Sequence, residues 1–226
     1  NTSAYPFTGA GYMRLFEPSY RAIRAYSPRM TIITAGLSPT ASGASSVNDR
    51  SYLRQMYQAG LDDYDDIAVG VHPYGWSNAP DERCCTASGR GWDDRGQFFF
   101  LDTLSAYRQI MYDNGHGDLN LWATEFGWPT YQDLPATAPE AWMVSLNSEQ
   151  QADYVADAFA IGQSFEFMGP MFLWNLNFAD THTVVNVGEA AAYSLLYTPN
   201  DQTVVERPVY QELVRRLSAA DGSGGR

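Results

Sequence analysis

Leu119-Asn-Leu-Trp-Ala-Thr-Glu-Phe-Gly-Trp128 opens as a short apolar strand and closes as a loop carrying a carboxylate and aromatic rings. Three other stretches are built the same way. Met30-Thr-Ile-Ile-Thr-Ala-Gly-Leu37 is β-rich and runs into Ser38-Pro39. Ile67-Ala-Val-Gly-Val71 runs into His72-Pro-Tyr-Gly-Trp76, and Met171-Phe-Leu-Trp-Asn175 runs into Leu176-Asn177. Between them lie segments with apolar residues at three- and four-residue spacing, which predicts helices over Tyr52–Ala59, Phe98–Asn114, Ser148–Glu166 and Arg207–Leu217. Asn147-Ser148, with Glu149 and Gln150 in the first turn, opens the third of these, and Pro208 enters the last at its first turn. Another helix, Tyr12–Ala25, precedes the first strand, with Pro18 as a point of bending.

Apolar strands alternating with helices imply an α/β fold with a parallel sheet, either doubly wound or closed into a barrel. No glycine-rich phosphate fingerprint follows any strand. Each strand instead ends in a polar and aromatic loop, which is how a (β/α)8 TIM barrel assembles its active site. A full barrel takes roughly 250 residues and eight strands. This chain has 226 residues with four strand–helix units and a leading helix that has no strand before it. It therefore reads as the second half of a barrel over residues 1–217, followed by a flexible tail at 218–226.

Composition narrows the chemistry. A content of 45% hydrophobic residues is ample for a core. Fourteen basic residues, all of them Arg, stand against 26 acidic ones, a net charge of −12 that is the wrong sign for nucleic acid or an anionic membrane. No apolar run reaches the length of a membrane span, and Asn1–Phe7 lacks the pattern of a signal peptide. The runs Asp62-Asp63 and Asp65-Asp66 read as solvated surface, and Asn1-Thr2-Ser3 formally matches a glycosylation acceptor. The only cysteines are the neighbours Cys84 and Cys85. They lack the spacing of a structural zinc site and are either two loop thiols or a vicinal disulfide.

Glu125 is the centre of interest, because a carboxylate ending an apolar strand must be satisfied by hydrogen bonds or face a cleft. A plain helix cap or an Arg partner is the structural alternative. His72 and Tyr74 are two apart past a strand end and so point the same way, and the Tyr74 hydroxyl is placed to donate to Glu125. Ordinary loop packing is their alternative. Trp174 offers a flat face for stacking a sugar ring, with Asn175 and Asn177 for hydroxyl groups. Trp76, Trp128 and Trp142 are further aromatic candidates, while Trp92 and Trp122 are assigned to packing.

Leu121-Trp-Ala-Thr-Glu-Phe-Gly-Trp128 resembles the seventh-strand motif of the clan A, or four-over-seven, glycoside hydrolases. The likeness extends along the chain. Ala22–Pro28 through Ala35–Pro39 is similar to their helix-four to strand-five passage, and Val71-His-Pro-Tyr-Gly75 to strand six. Leu173-Trp-Asn175 is similar to strand eight, and Glu206-Arg-Pro-Val-Tyr210 to the start of the closing helix. The resemblance implies a retaining hydrolase of O-glycosidic bonds in which Glu125 is the catalytic nucleophile. Tyr74 would bond to it, and His72 and Trp174 would shape the sugar subsite.

The family's acid/base, the Glu of an Asn-Glu ending strand four, has no counterpart here. Glu17 lies in a helical stretch and is rejected, and the acid/base is expected upstream of residue 1. Asp102, Asp180, Glu140 and Glu189 are the candidate replacements, Asp180 first. No metal or organic cofactor is expected. The partners are a carbohydrate and either a missing first half or a second copy over open sheet edges. A non-catalytic carbohydrate-binding or assembly module is the alternative reading, and an unrelated doubly wound sheet a third. A polysaccharide substrate points to a secreted protein.

Overall fold

A computed structural model describes residues 8–43, 46–85, 91, 93–186, 188–200 and 202–223. The triplet Asn1-Thr2-Ser3, Trp92 and residues 224–226 lie outside them. Helix α1 (Gly9–Tyr26) continues through Pro18, and strand β1 (Ile32–Ile33) is followed by α2 (Asp49–Gln58). The pattern repeats with β2 (Ile67–Val71) and α3 (Phe100–Asp113), then with β3 (Leu121–Phe126) and α4 (Ser148–Gln163). The strands β1, β2, β3 and β4 (Met168–Leu173) form one parallel sheet in that order. Helix α7 (Pro208–Ser223) closes the chain, so residues 218–223 are helical where the sequence suggests a tail.

Local chemistry explains these boundaries. The Asn147 side chain accepts from the Gln150 amide at 2.7 Å while Gln150 returns a bond to the Asn147 amide at 2.9 Å, a capping box that starts α4 where the sequence places it. Helix α2 starts three residues earlier than periodicity suggests, because Asn48 caps the Ser51 amide at 3.1 Å. Strand β1 is shorter than the apolar run. The Thr34 hydroxyl accepts from the Gly70 amide at 2.9 Å and the Tyr12 hydroxyl accepts from the Ala35 amide at 2.8 Å, so side chains displace the regular ladder until Leu37 bridges to Val71.

One face of the sheet packs against the helices. Leu53 and Met56 of α2, Leu104, Ile110 and Met111 of α3, and Val155 and Ala158 of α4 bury Ile67, Val69, Val71, Leu121, Ala123 and Phe126. On the opposite face Trp122 stacks on the half-exposed Phe172, with centroids 6.2 Å apart. Strands β1 and β4 each have one neighbour among the described residues, so the sheet is open.

The pairing of β3 with β4 is irregular. Leu121 and Ala123 pair with Met168 and Met171, which inserts an extra residue around Gly169-Pro170. Ala123 and Phe126 pair with Met171 and Leu173, which inserts one around Thr124-Glu125. An edge strand with a bulge tolerates a proline, so β4 begins before Pro170, earlier than the sequence suggests. Beyond β4 lies a small unit not visible in the sequence. Strand β5 (Ala179–Asp180) pairs parallel to β6 (Leu196–Asn200), which forms a hairpin with β7 (Thr203–Glu206), and the short helices α5 (Thr181–Val185) and α6 (Glu189–Ala192) lie between β5 and β6.

Candidate active site

The bulge in β3 aims Glu125. Strand residues alternate faces, and Leu121 and Ala123 follow that rule, but burial then skips to Phe126 and leaves both Thr124 and Glu125 half-buried. Glu125 thereby emerges at the carboxyl end of the sheet beside the loop that follows β2. Tyr74 donates its hydroxyl to Glu125 Oε2 at 2.9 Å. His72 Nδ1 lies 3.5 Å from the same oxygen and 3.3 Å from Ser38 Oγ. Successive strands thus contribute Ser38, His72, Tyr74 and Glu125 to one cluster.

Burial sets the charge states around this carboxylate. Desolvation lowers the His72 pKa and outweighs the opposing pull of Glu125, so the imidazole is neutral at neutral pH and its contact with Glu125 is dipolar. Burial first, then the charge and hydrogen bond of Glu125, raise the Tyr74 phenol far above its ordinary range, so it stays a donor. Gly36 makes room for His72, because a Cβ there would stand 2.2 Å from the imidazole ring.

A cavity of about 430 Å³ opens over Glu125. Ser38 and Pro39 follow β1, Tyr74 and Trp76 follow β2, and Trp174 follows β4. Glu189, Ala190 and Tyr193 close the wall from α6 and the residue after it. Trp174 stacks on Phe178 with centroids 5.2 Å apart and planes 26° apart, and the Trp174–Asn175 peptide is cis. Trp76 has a left-handed backbone (φ 49°) and packs edge-on against Phe98 at 4.8 Å.

Two expected contributors are elsewhere. Trp128 is 1% exposed, donates its indole N–H to the Asn78 carbonyl at 2.8 Å, and packs on Phe100 and Phe126. The buried run that resumes at Phe126, past the bulge, includes it. Asn175 is also buried, and its amide is spent inside the protein. It donates to the Ala190 carbonyl at 2.8 Å and accepts from Ser194 Oγ at 2.7 Å and the Phe178 amide at 3.0 Å. Asn175 positions the cavity wall and does not line it. Trp142 packs at the margin of a second apolar cluster that includes Tyr74, Tyr131 and Tyr193, and Asn177 donates to Thr198 Oγ1 at 3.4 Å.

Among the candidate replacement carboxyls, Glu189 lines the cavity. Asp102 is held by Arg83 at 2.9 Å and by the Cys84 amide at 2.6 Å, and Asp180 belongs to β5. Cys84 and Cys85 are joined as a vicinal disulfide in the loop after β2.

The cavity wall is fixed by a buried cation that stands immediately before α7. Arg207 is 1% exposed and donates to both carboxylate oxygens of Asp133 at 2.8 Å, to the Thr130 carbonyl at 2.8 Å, and to the carbonyls of Ala191, Ala192 and Ser194. It ties the loop after β3 to the segment bearing Glu189 and Tyr193. Burial works against an ionised Asp133, but the hydrogen bonds and charge of Arg207, with a bond from Ser148, prevail and hold its pKa below the usual carboxylate range. The proline after Arg207 was the legible signal; the site of its guanidinium was not.

No family model and no curated protein matches this chain. Among solved structures it is similar to a family 39 glycoside hydrolase from the gut symbiont Bacteroides cellulosilyticus WH2. The TM-score is 0.59 at 19% identity, over 90% of this chain and 36% of that one. It is also similar to a family 51 alpha-L-arabinofuranosidase from Bifidobacterium longum, with a TM-score of 0.54 at 11% identity, over 92% of this chain and 40% of that one. The chain thus spans 36–40% of the length of these two structures. The likeness is one of fold: an α/β chain whose parallel sheet matches part of a glycoside hydrolase barrel.

Proposed function

We propose that this chain carries the nucleophile half of a retaining glycoside hydrolase. The observation that carries the reading is the carboxylate of Glu125, gripped by the Tyr74 hydroxyl in a cavity walled by Trp174 and Trp76. Both contacts with Tyr74 and His72 fall on Oε2, which leaves Oε1 to attack. Oε1 bonds to the anomeric carbon as the glycosidic C–O bond breaks, and the leaving oxygen takes a proton from the partner carboxylic acid. Water, deprotonated by that same carboxylate, then attacks the anomeric carbon and releases Glu125. The partner, about 5–5.5 Å from Glu125 in such a mechanism, is a Glu in an Asn-Glu upstream of residue 1. The preceding half of the barrel covers the open edges of β1 and β4. The net charge of −12 favours a neutral polysaccharide over nucleic acid, and a polysaccharide substrate favours an extracellular setting.

The test separates the nucleophile from the acid. The dinitrophenolate of a 2,4-dinitrophenyl 2-deoxy-2-fluoroglycoside departs without protonation, so the nucleophile alone forms a long-lived covalent adduct with the fluoroglycosyl group. Across a panel of gluco, xylo, manno, galacto and arabinofurano forms, at least one is expected to add a single glycosyl mass to the peptide containing Glu125. Glu125→Gln removes it. No adduct from the whole panel, or an adduct elsewhere, refutes the assignment.

A further inference from the structure

The mechanism leaves one cavity group without a task. Glu189 opens α6, is exposed, and lines the same cavity as Glu125. Its charge reaches two phenols of that wall, adding to the burial that raises the pKa values of Tyr74 and Tyr193. No described residue donates a hydrogen bond to it. No cation among the described residues lines the cavity. Arg207 passes beneath α6 through the carbonyls of Ala191 and Ala192, but Asp133 neutralises it. His72, behind Glu125, is uncharged.

Among the described residues the cavity therefore presents two carboxylates and no positive charge. A carboxylate only accepts: it receives O–H groups, two at once from neighbouring hydroxyls, and offers nothing to an anion. Like-charge juxtaposition is how a site rejects the wrong partner. We infer, resting on the carbohydrate reading above, that Glu189 is a specificity-determining residue, accepting hydroxyl groups of an uncharged sugar and excluding uronic acids and sulfated sugars from the cavity.

The experiment compares 4-nitrophenyl glycosides in pairs that differ only in a carboxylate at C6: glucoside and glucuronide, galactoside and galacturonide, mannoside and mannuronide. Binding is followed by quenching of tryptophan emission, with near-UV circular dichroism to show that each variant is folded. In the wild type at least one neutral glycoside should bind about tenfold or more tightly than its uronide. That is the effect of one unit charge across the width of a sugar ring at an effective dielectric between protein surface and water. Glu189→Gln, which keeps the shape, should bring the ratio close to one, and Glu189→Asp should keep most of it. Raising the salt should shrink the wild-type ratio. Equal binding within each pair, preference for a uronide, or a ratio unchanged by Glu189→Gln overturns the inference and leaves the carbohydrate reading standing. Failure of the wild type to bind any member of the set overturns the inference, while the carbohydrate reading stands or falls by the covalent labelling of Glu125.

Discussion

Replacing Arg207 with Met tests whether the cavity wall hangs on one buried cation. The substitution keeps the apolar stem but removes the guanidinium, leaving the Asp133 carboxylate without its countercharge and taking a donor from the carbonyls of Thr130, Ala191, Ala192 and Ser194. Removing one partner of a buried ion pair costs about 3–5 kcal/mol. In a chain of this size that lowers Tm by roughly 6–20 °C. Urea unfolding at pH 7, read by tryptophan emission, measures the loss as a lower midpoint at unchanged slope. Asp133→Asn combined with Arg207→Met should lose less than the two single variants summed, because no stranded charge remains.

The pair also makes a signed prediction with pH. The folded pKa of Asp133 is depressed, so its contribution is present above the unfolded value and is lost as pH falls through the folded one. The gap between wild type and Arg207→Met should be widest at neutral pH and should narrow in acid, below about pH 4. A loss under about 1 kcal/mol, or a gap that does not change on acidification, would refute the clamp.

Other outcomes follow from the same geometry. Tyr74→Phe removes a 2.9 Å bond to a charged group and should lower kcat about ten- to a hundredfold with stability little changed, measured with an activated glycoside. Trp128→Ala should cost about 3–5 kcal/mol in urea unfolding, because the ring is 1% exposed. Trp174→Ala, in contrast, should mainly weaken glycoside binding in the quenching titration. Gly36→Ala puts a methyl group 2.2 Å from the His72 ring; the turnover of activated glycosides should fall, and wild-type turnover would show that His72 has room to move.

What the sequence determined is what local periodicity and side-chain chemistry can encode. Apolar strands alternating with capped helices imposed the parallel sheet, and the two-residue step from His72 to Tyr74 put both beside the strand end that carries Glu125. Tertiary structure decided the rest, because it depends on partners distant in the chain. The six tryptophans look alike in sequence, yet register against Asn78 and Phe100 buries Trp128 while Trp174 remains at the cavity. Asn175 resembled a ligand for hydroxyl groups until Ser194 and Ala190 arrived to take its amide. The bulge that turns Glu125 out of the core arises from its pairing with β4. Glu189 and Tyr193 sit in a run of small residues with no periodic signal of their own. They reach the site because Arg207, in the approach to the last helix, gathers up the carbonyls around them.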